Sequence, residues 1–377
     1  MNIKYVLGSA VASAMITGSE FLRLFDRGAI PQNSKIETLR LRVEPGSIQE
    51  MASNLPVSAK KKYYRAWLQY PDGEYKSIKY RFRGRNIWHW HPKKPSLRLK
   101  LKKKYPLNLQ KAINLINPED RAMVSNVMGE ELAKRMGVLT HITDYVRLFI
   151  NDEYRGVYHR TTREDEQMLL LNERVPGPLF IGGHMGRKWK AEQFEEVGAT
   201  DKIGQYKPIN ELLEIMELPT SINKYKRLWG LISFEKMASW QAALNLVAGI
   251  HTNYHHNQLY YFDPALGLLE PIVSDINGYG VLTHARGLSR FWIFSLPQHF
   301  SPINERLQPL LDVALKDPRF YHQRNKKLYE AVKTIGSLQE QKVILNEYFS
   351  LIDPDVNADR NKGSLEPMFV GFYRAPY

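Results

Sequence analysis

The chain has 377 residues, a formal net charge of +14 at pH 7 and no cysteine. This length allows two lobes or domains with separate cores, and the absence of cysteine excludes disulfides, Fe–S clusters and thiolate zinc sites. The positive charge favours anionic partners: nucleotide phosphates, nucleic acid, acidic polymers or a membrane surface.

The N-terminal segment, residues 1–30, is apolar or small from Tyr5 to Gly18. That run is shorter than the about 20 apolar residues of a spanning helix, and residues 12–14 form a small-residue cleavage pattern. We expect a signal peptide or N-terminal anchor, with an ordinary packed helix as the alternative. No later segment has the length and apolarity to span a bilayer, so we expect a soluble body. The segment predicts a secreted or membrane-anchored protein of the cell envelope, and a cytoplasmic location stays open.

Residues 31–165 have mostly strand patterns. Residues 36–43 and 97–103 alternate between apolar and polar side chains, and Pro71-Asp72-Gly73 predicts a hairpin turn. A second hairpin is predicted from residues 144–150 and 154–161. The one predicted helix has Asn117 as its N-cap and ends at Gly137.

From residue 166 to 377 the patterns are mainly helical. Residues 172–208 are predicted to be a mobile loop or a connection between lobes, and residues 258–275 form a hairpin between helices. Helices are predicted near residues 208–217, 221–230, 233–250, 302–316, 319–334 and 337–352. The predicted fold class is therefore α+β, with a strand-rich N-terminal lobe and a helix-rich C-terminal lobe carrying an embedded β-hairpin.

A run of cations marks the strand-rich lobe. Twelve Lys and Arg residues and no Asp or Glu lie between Lys76 and Lys104. Alternation places Lys79, Arg81 and Arg83 on one strand face, and it places Arg98, Lys100 and Lys102 on one face of another strand. If both strands share a sheet, the result is a positive face that fits a polyphosphate. The alternatives are a solvated surface and a nucleic-acid site, although the run has no nucleic-acid-binding motif.

The stretch TNYHHNQLYYFD, residues 252–263, joins a long apolar helix to the predicted hairpin. Since a hairpin brings its two open ends together, Asn257 and Asp275 should be neighbours. Their oxygens suit Mg²⁺, and Asn277 could add a third. The nearby histidines are His251, His255 and His256. His251 and His255 could form a helical metal pair, one of the three could position a phosphate or hydroxyl, or all could be ordinary surface groups.

Several segments together resemble the CotH-type (spore coat protein H) atypical kinase family. VSNVMGEELAKRMGVLTHITDYVRLFINDEYRGVYHRTTREDE, residues 124–166, is similar to the family's "ELA-x-x-MG" helix and the two strands that follow it. RFRGRNIWHWHPKKPSLRLKL and HHNQLYYFDPALGLLEPIVSDINGYG resemble the family's basic segment and its "HN-x-x-LY" to "D-x-D" segment. The resemblance extends in order over about residues 78–350.

The resemblance implies a bilobal, atypical protein-kinase-like fold with ATP between the lobes and Mg²⁺ held by the helical lobe. Asp275 matches the first metal-binding Asp, and Asn257 matches the amide of the helix–strand corner. The basic positions expected to face the phosphates are Arg83, Lys94, Arg98 and Lys100.

The sequence also departs from the family pattern. Thr252-Asn253 stands where relatives carry an acid, and Asn277 replaces the second Asp of the D-x-D pair. A general base must accept a proton, so a histidine of the corner is the expected substitute, with Asn257 as the fourth candidate catalytic residue. The resemblance thus implies an ATP- and Mg²⁺-dependent phosphotransferase that acts on a protein or envelope-polymer hydroxyl. The alternatives are a pseudokinase-like nucleotide- or anion-binding envelope protein and, third, a nucleic-acid-binding protein.

Overall fold

The computed structural model describes residues 28–55, 62–84, 87–90, 93–108, 110–118, 123–182, 188–198, 206–247, 249, 257–276 and 308–362. They fold as two compact units. We call them the barrel unit, with described residues from Gly18–Val124, Ile142–Arg163 and Asn346–Tyr377, and the helical unit, from Ser125–His141 and Glu164–Leu345. No helix in the described ranges combines the length and apolarity needed to cross a membrane.

The strands are β1 (Glu37–Val43), β2 (Tyr64–Gln69), β3 (Tyr75–Phe82), β4 (Leu97–Lys100), β5 (Ala112–Ile116), β6 (Leu139–Thr140), β7 (Thr143–Ile150), β8 (Glu153–Thr162), β9 (Leu179–Gly182), β10 (Phe194–Val197), β11 (Gln258–Asp263) and β12 (Leu268–Val273). The helices are α1 (Ser47–Ser53), α2 (Ser125–Arg135), α3 (Glu166–Leu171), α4 (Lys207–Glu217), α5 (Ile222–Leu231), α6 (Phe234–Leu246), α7 (Pro309–Ala314), α8 (Pro318–Lys333) and α9 (Leu338–Ala358). Short 3₁₀ turns lie at Ile87–Trp90 and Ala191–Gln193.

The barrel unit is built on a closed barrel of seven strands in the order β1-β2-β3-β4-β5-β8-β7. Parallel pairing of β1 with β7, from Glu37 opposite Val146 to Leu41 opposite Ile150, closes the ring. Because successive strand side chains point to opposite faces, the apolar set of each strand fills the interior. Buried side chains of this core include Leu39, Leu41, Ala66, Leu68, Ile78, Tyr80, Phe82, Leu97 and Leu99.

The C-terminal part of α9, from Asn346 onward, belongs to the barrel unit. Its Asp355 is almost fully buried; Arg147 Nη1 lies 3.4 Å from Asp355 Oδ1, and Ser34 Oγ donates to Asp355 Oδ2 at 2.6 Å. Tyr154 Oη donates to the Asp355 carbonyl at 2.8 Å. Side chains of the barrel unit therefore hold this end of the helix in place.

The helical unit contains a second sheet of five strands in the order β10-β9-β11-β12-β6. The predicted hairpin is present as β11 and β12, with Tyr260 opposite Pro271. Helix α6 is buried from Met237 to Leu246, and Trp240 Nε1 donates to the Ile272 carbonyl of β12 at 3.3 Å. The hairpin is thus a central part of the sheet.

The expected bilobal kinase-like fold is wrong, because the strand-rich region closes into a seven-stranded barrel and a separate five-stranded sheet lies in the helical unit. The predicted helix after Asn117 begins later, at Ser125, and Met123 has a left-handed φ of 59° that a continuous helix does not tolerate. The segment 172–208 is also more than a loop, since it supplies β9 and β10.

Candidate functional site

The open end of the β11–β12 hairpin holds the predicted oxygen pair. Asn257 directly precedes β11 and Asp275 lies two residues after β12, and Asn257 Nδ2 is 3.4 Å from Asp275 Oδ2. Both residues have left-handed backbone angles, with φ of 60° and 57°, which Asn and Asp adopt more readily than most residues. The predicted proximity of Asn257 and Asp275 is confirmed.

A third residue joins this pair from helix α2. Asn126, the second residue of the helix, donates from Nδ2 to Asp275 Oδ1 at 3.5 Å. Its Oδ1 atom is buried and, in the part of the chain that the structure describes, accepts no hydrogen bond. We call Asn126, Asn257 and Asp275 the Asp275 corner. The sequence did not reveal Asn126, because a single Asn at a helix start is indistinguishable from a capping residue.

Close packing fixes the backbone beside Asp275. A Cβ atom added to Gly129 of α2 would lie 2.5 Å from the Ile276 carbonyl oxygen and 2.8 Å from Ile276 Cγ2. A Cβ atom added to Gly249 would lie 2.9 Å from Ile276 Cγ1. Glycine at both positions lets the chain close around the buried Ile276 side chain, which anchors its neighbour Asp275.

The donor set of the Asp275 corner is one carboxylate and two amides. Amide and carboxylate oxygens are ligands that Mg²⁺ accepts, and an amide can turn its oxygen or its nitrogen toward a partner. The buried Asn126 Oδ1, without a donor among the described residues, fits such a cation. Within those same residues no three His, Asp or Glu side chains converge as a metal cluster. The predicted site residues His251, His255, His256 and Asn277 lie outside the described residues, as do Thr252 and Asn253, and their roles stay predictions.

A histidine–glutamate pair lies at the same edge of the sheet. Strand β6 pairs in parallel with β12, with Thr140 opposite Val273, so His141 leaves its strand beside the segment that carries Asp275. His141 Nε2 is 3.8 Å from Glu164 Oε1, and both side chains are largely buried. His141 could not be predicted from the sequence, because β6 has only two residues and shows no periodic pattern.

The predicted basic face lies on the outer wall of the barrel. Strands β3 and β4 pair with Lys79 opposite Lys100 and Arg81 opposite Arg98, as the alternation predicted. Arg98 Nε donates to Asn114 Oδ1 at 2.8 Å, and Arg83 is half-buried just after β3. The assignment of Arg83, Arg98 and Lys100 to nucleotide phosphates stays a prediction.

Lys94 has a different environment from the other predicted phosphate-binding cations. Its side chain is 0% exposed, and its Nζ atom is 2.5 Å from Oδ2 of the equally buried Asp359. Burial lowers the pKa of Lys94, and the Asp359 carboxylate opposes that shift. The backbone N–H of Val157 donates to the same carboxylate at 3.2 Å. Contact between Lys94 and a phosphate therefore requires this pair to open.

Comparison with known proteins defines the class. Residues 80–365 match the family model described as CotH kinase protein, which places the chain among kinase-like proteins. Since the match covers most of the chain, the protein belongs to the CotH kinase family. No curated protein matches the sequence.

Proposed function

We propose that this protein is a phosphotransferase that uses ATP and Mg²⁺ to phosphorylate a hydroxyl group of a protein or an envelope polymer. Membership of the CotH kinase family supports the reaction class. The observation that carries the proposal is the Asp275 corner, where the Asn126 and Asn257 amides lie 3.5 and 3.4 Å from the two carboxylate oxygens.

Asp275 would hold the cation through its carboxylate, and Asn126 and Asn257 would do so through their amide oxygens once these turn toward it. Bound Mg²⁺ supplies charge neutralisation of the phosphate groups. The chain itself supplies positioning, because α2 and the hairpin mouth bring the three residues together before any ligand arrives. Asn277 would add a further oxygen.

The acceptor hydroxyl must lose its proton as it attacks the phosphate. The proposed proton acceptors are the histidines of the corner, His251, His255 and His256. His141, held beside Glu164 at the same sheet edge, is a further candidate. The signal-like pattern of residues 1–30 supports an acceptor at the cell envelope.

A pseudokinase-like function is the second candidate. Within the described residues, the corner contains one acidic side chain, Asp275, and no cluster of three acids or histidines. A corner with two amides and one carboxylate would still bind a nucleotide–cation complex. It would have less negative charge to hold the cation during phosphoryl transfer. The protein would then bind a nucleotide and would phosphorylate no acceptor.

Incubation of the full chain with γ-labelled ATP and Mg²⁺ tests both functions. The phosphotransferase predicts incorporation of label that Asp275→Asn abolishes. Asp312→Asn, an exposed carboxylate paired with Lys316 on α7, is the matched control and should leave incorporation unchanged. Thermal stabilisation by ATP–Mg²⁺ without label transfer would favour the pseudokinase, and the absence of both signals would overturn the two functions together.

A further inference from the structure

The outer wall of the barrel carries a ladder of cations across three strands. Arg65 of β2 lies opposite Lys79 of β3, which lies opposite Lys100 of β4. A second rung pairs Arg81 of β3 with Arg98 of β4. We call these five residues the basic wall. Neighbouring strands lie about 4.8 Å apart, so like charges are held side by side.

Four of the five cations of the basic wall have no acidic partner among the described residues. In the described part of the chain, no ion pair involves Arg65, Lys79, Arg81 or Lys100, and residues 75–118 of the sequence include no Asp or Glu. Like charges directly opposite each other destabilise a sheet. An arrangement that costs stability and has no compensating ion pair within the described ranges favours an external anion.

Other cations of the same barrel are neutralised by the chain. Arg40 Nη1 lies 3.3 Å from Asp152 Oδ1, and Arg147 Nη1 lies 3.4 Å from Asp355 Oδ1. Arg160 pairs with both Glu37 and Asp144. Arg42 of β1 also has no ion pair among the described residues, so what distinguishes the basic wall is the clustering of five cations on three neighbouring strands.

The wall is also rigid and exposed. Tyr80 and Leu99, on the inner face of the same two strands, are fully buried, while Arg65, Lys79 and Lys100 are exposed. The ring of Tyr63 lies 5.1 Å from the Arg81 guanidinium and 5.9 Å from Lys100 Nζ, within cation–π range. The closed barrel keeps the strand backbones in fixed register, so the entropy cost of binding falls mainly on the Lys and Arg side chains.

We infer that the basic wall binds an extended acidic peptide, a segment of a partner protein with Asp or Glu at alternate positions. Along β3, Lys79 and Arg81 are two residues apart, which spaces their Cα atoms by about 6.6 Å. Arg98 and Lys100 repeat that spacing along β4. Alternate side chains of an extended peptide have the same repeat, so its carboxylates would face successive cations.

A single-stranded nucleic acid fits the wall less well. Such strands bind basic grooves with aromatic side chains on which the bases stack. Among the described residues, the ring that contacts Arg81 and Lys100 is that of Tyr63, which is half-buried, with the two cations 5.1 and 5.9 Å from its centre. The carboxylates of an acidic peptide need only cations as partners and no aromatic ring for stacking.

The test is fluorescence anisotropy of the full chain with a labelled peptide that alternates glutamate and serine, measured without ATP. Arg65→Glu/Lys79→Glu should weaken binding about tenfold or more, because attraction becomes repulsion at two exposed positions. Lys79→Gln should weaken it less. Lys326→Glu, the same charge reversal at an exposed site on helix α8, should leave binding within about twofold.

Three outcomes would overturn the inference: no binding of the peptide at low salt, equal losses in the wall and Lys326 variants, or tighter wall-dependent binding of single-stranded DNA or polyphosphate. Retention of native circular dichroism by Lys79→Gln keeps the result interpretable if the double reversal unfolds the barrel. Failure of this inference and failure of the proposed function are distinguishable, since Asp275→Asn should abolish label transfer and leave peptide binding intact.

Discussion

Replacing Asp359 by asparagine removes the negative half of a fully buried ion pair and leaves the Lys94 ammonium without its partner. Both side chains are 0% exposed and the Nζ–Oδ2 distance is 2.5 Å, so water cannot take over from the lost carboxylate. Removing one member of such a pair costs about 3–5 kcal/mol. Asparagine keeps an acceptor for the Val157 N–H, so the loss comes mainly from the uncompensated charge. That loss is a large fraction of the total stability of about 5–15 kcal/mol of a typical protein.

A double-mutant cycle separates the ion pair from other effects of the substitutions. Lys94→Met alone should also cost about 3–5 kcal/mol, whereas Lys94→Met/Asp359→Asn should cost much less than the sum of the two single losses, because the double variant leaves no buried charge without its partner. Urea unfolding gives the free energies, and hydrogen exchange at Val157 reports the local effect. Asp312→Asn, which breaks an exposed pair with Lys316, should change stability by less than about 0.5 kcal/mol. Additive single losses, or a loss below about 1 kcal/mol for Asp359→Asn, would refute the reasoning.

Two further substitutions test the packing of each unit. Burial lowers the pKa of His159 from 6.5 to about 4, so the unfolded chain binds a proton in a pH range where the folded chain does not. The contribution of neutral His159 to stability is therefore fully present above pH 6.5 and should be lost as the pH falls from about 6.5 to 4. At 1.36 kcal/mol per pKa unit the loss is about 3 kcal/mol. His159→Gln should remove this component of the pH dependence of urea unfolding. Gly129→Ala should cost about 1–3 kcal/mol and weaken binding of ATP–Mg²⁺ in a thermal-shift titration, because its Cβ atom would lie 2.5 Å from the Ile276 carbonyl oxygen beside Asp275.

The chain offers a matched control for each of these two substitutions. His322 is exposed on helix α8, so His322→Gln should keep the full pH dependence of stability. Gly230 lies within α5 with no atom within 4 Å of an added Cβ, so Gly230→Ala should raise stability by about 0.5–1 kcal/mol through helix propensity. A pH profile of His159→Gln that matches the wild type, or equal effects of alanine at Gly129 and Gly230, would contradict the structural argument.

Strands β3 and β4, the turn between β2 and β3 and the β11–β12 hairpin were predictable, because each depends on residues close together in the sequence. Alternation identified β3 and β4 and the face on which their cations lie, and it needed no knowledge of distant residues. The turn at Pro71-Asp72-Gly73 has Gly73 at a φ of 83°, a backbone angle that glycine adopts without strain. Likewise, hairpin geometry alone predicted that Asn257 and Asp275 would meet.

The closure of the barrel had no such signal. It depends on parallel pairing of β1 with β7, strands more than 100 residues apart, and an inward apolar face is equally consistent with an open sheet. Strands β9 and β10 were missed for a related reason: each has four residues, and β9 is completed by pairing with the distant β11. Short strands gain their stability from neighbours that a window of sequence does not contain.

Lys94 and Lys100 show why charge alone did not locate the candidate site. Both belong to the same acid-free run, yet Lys100 is exposed on a strand whereas Lys94, three residues before β4, is buried against Asp359 near the end of the described chain. Strand periodicity assigned a face to Lys100, but it says nothing about a residue outside the strand. A cation can bind an external anion only where the folded chain does not already pair it with an acid. For Lys94 that acid is 265 residues away in the sequence, and for Lys79 and Lys100 the described chain brings none.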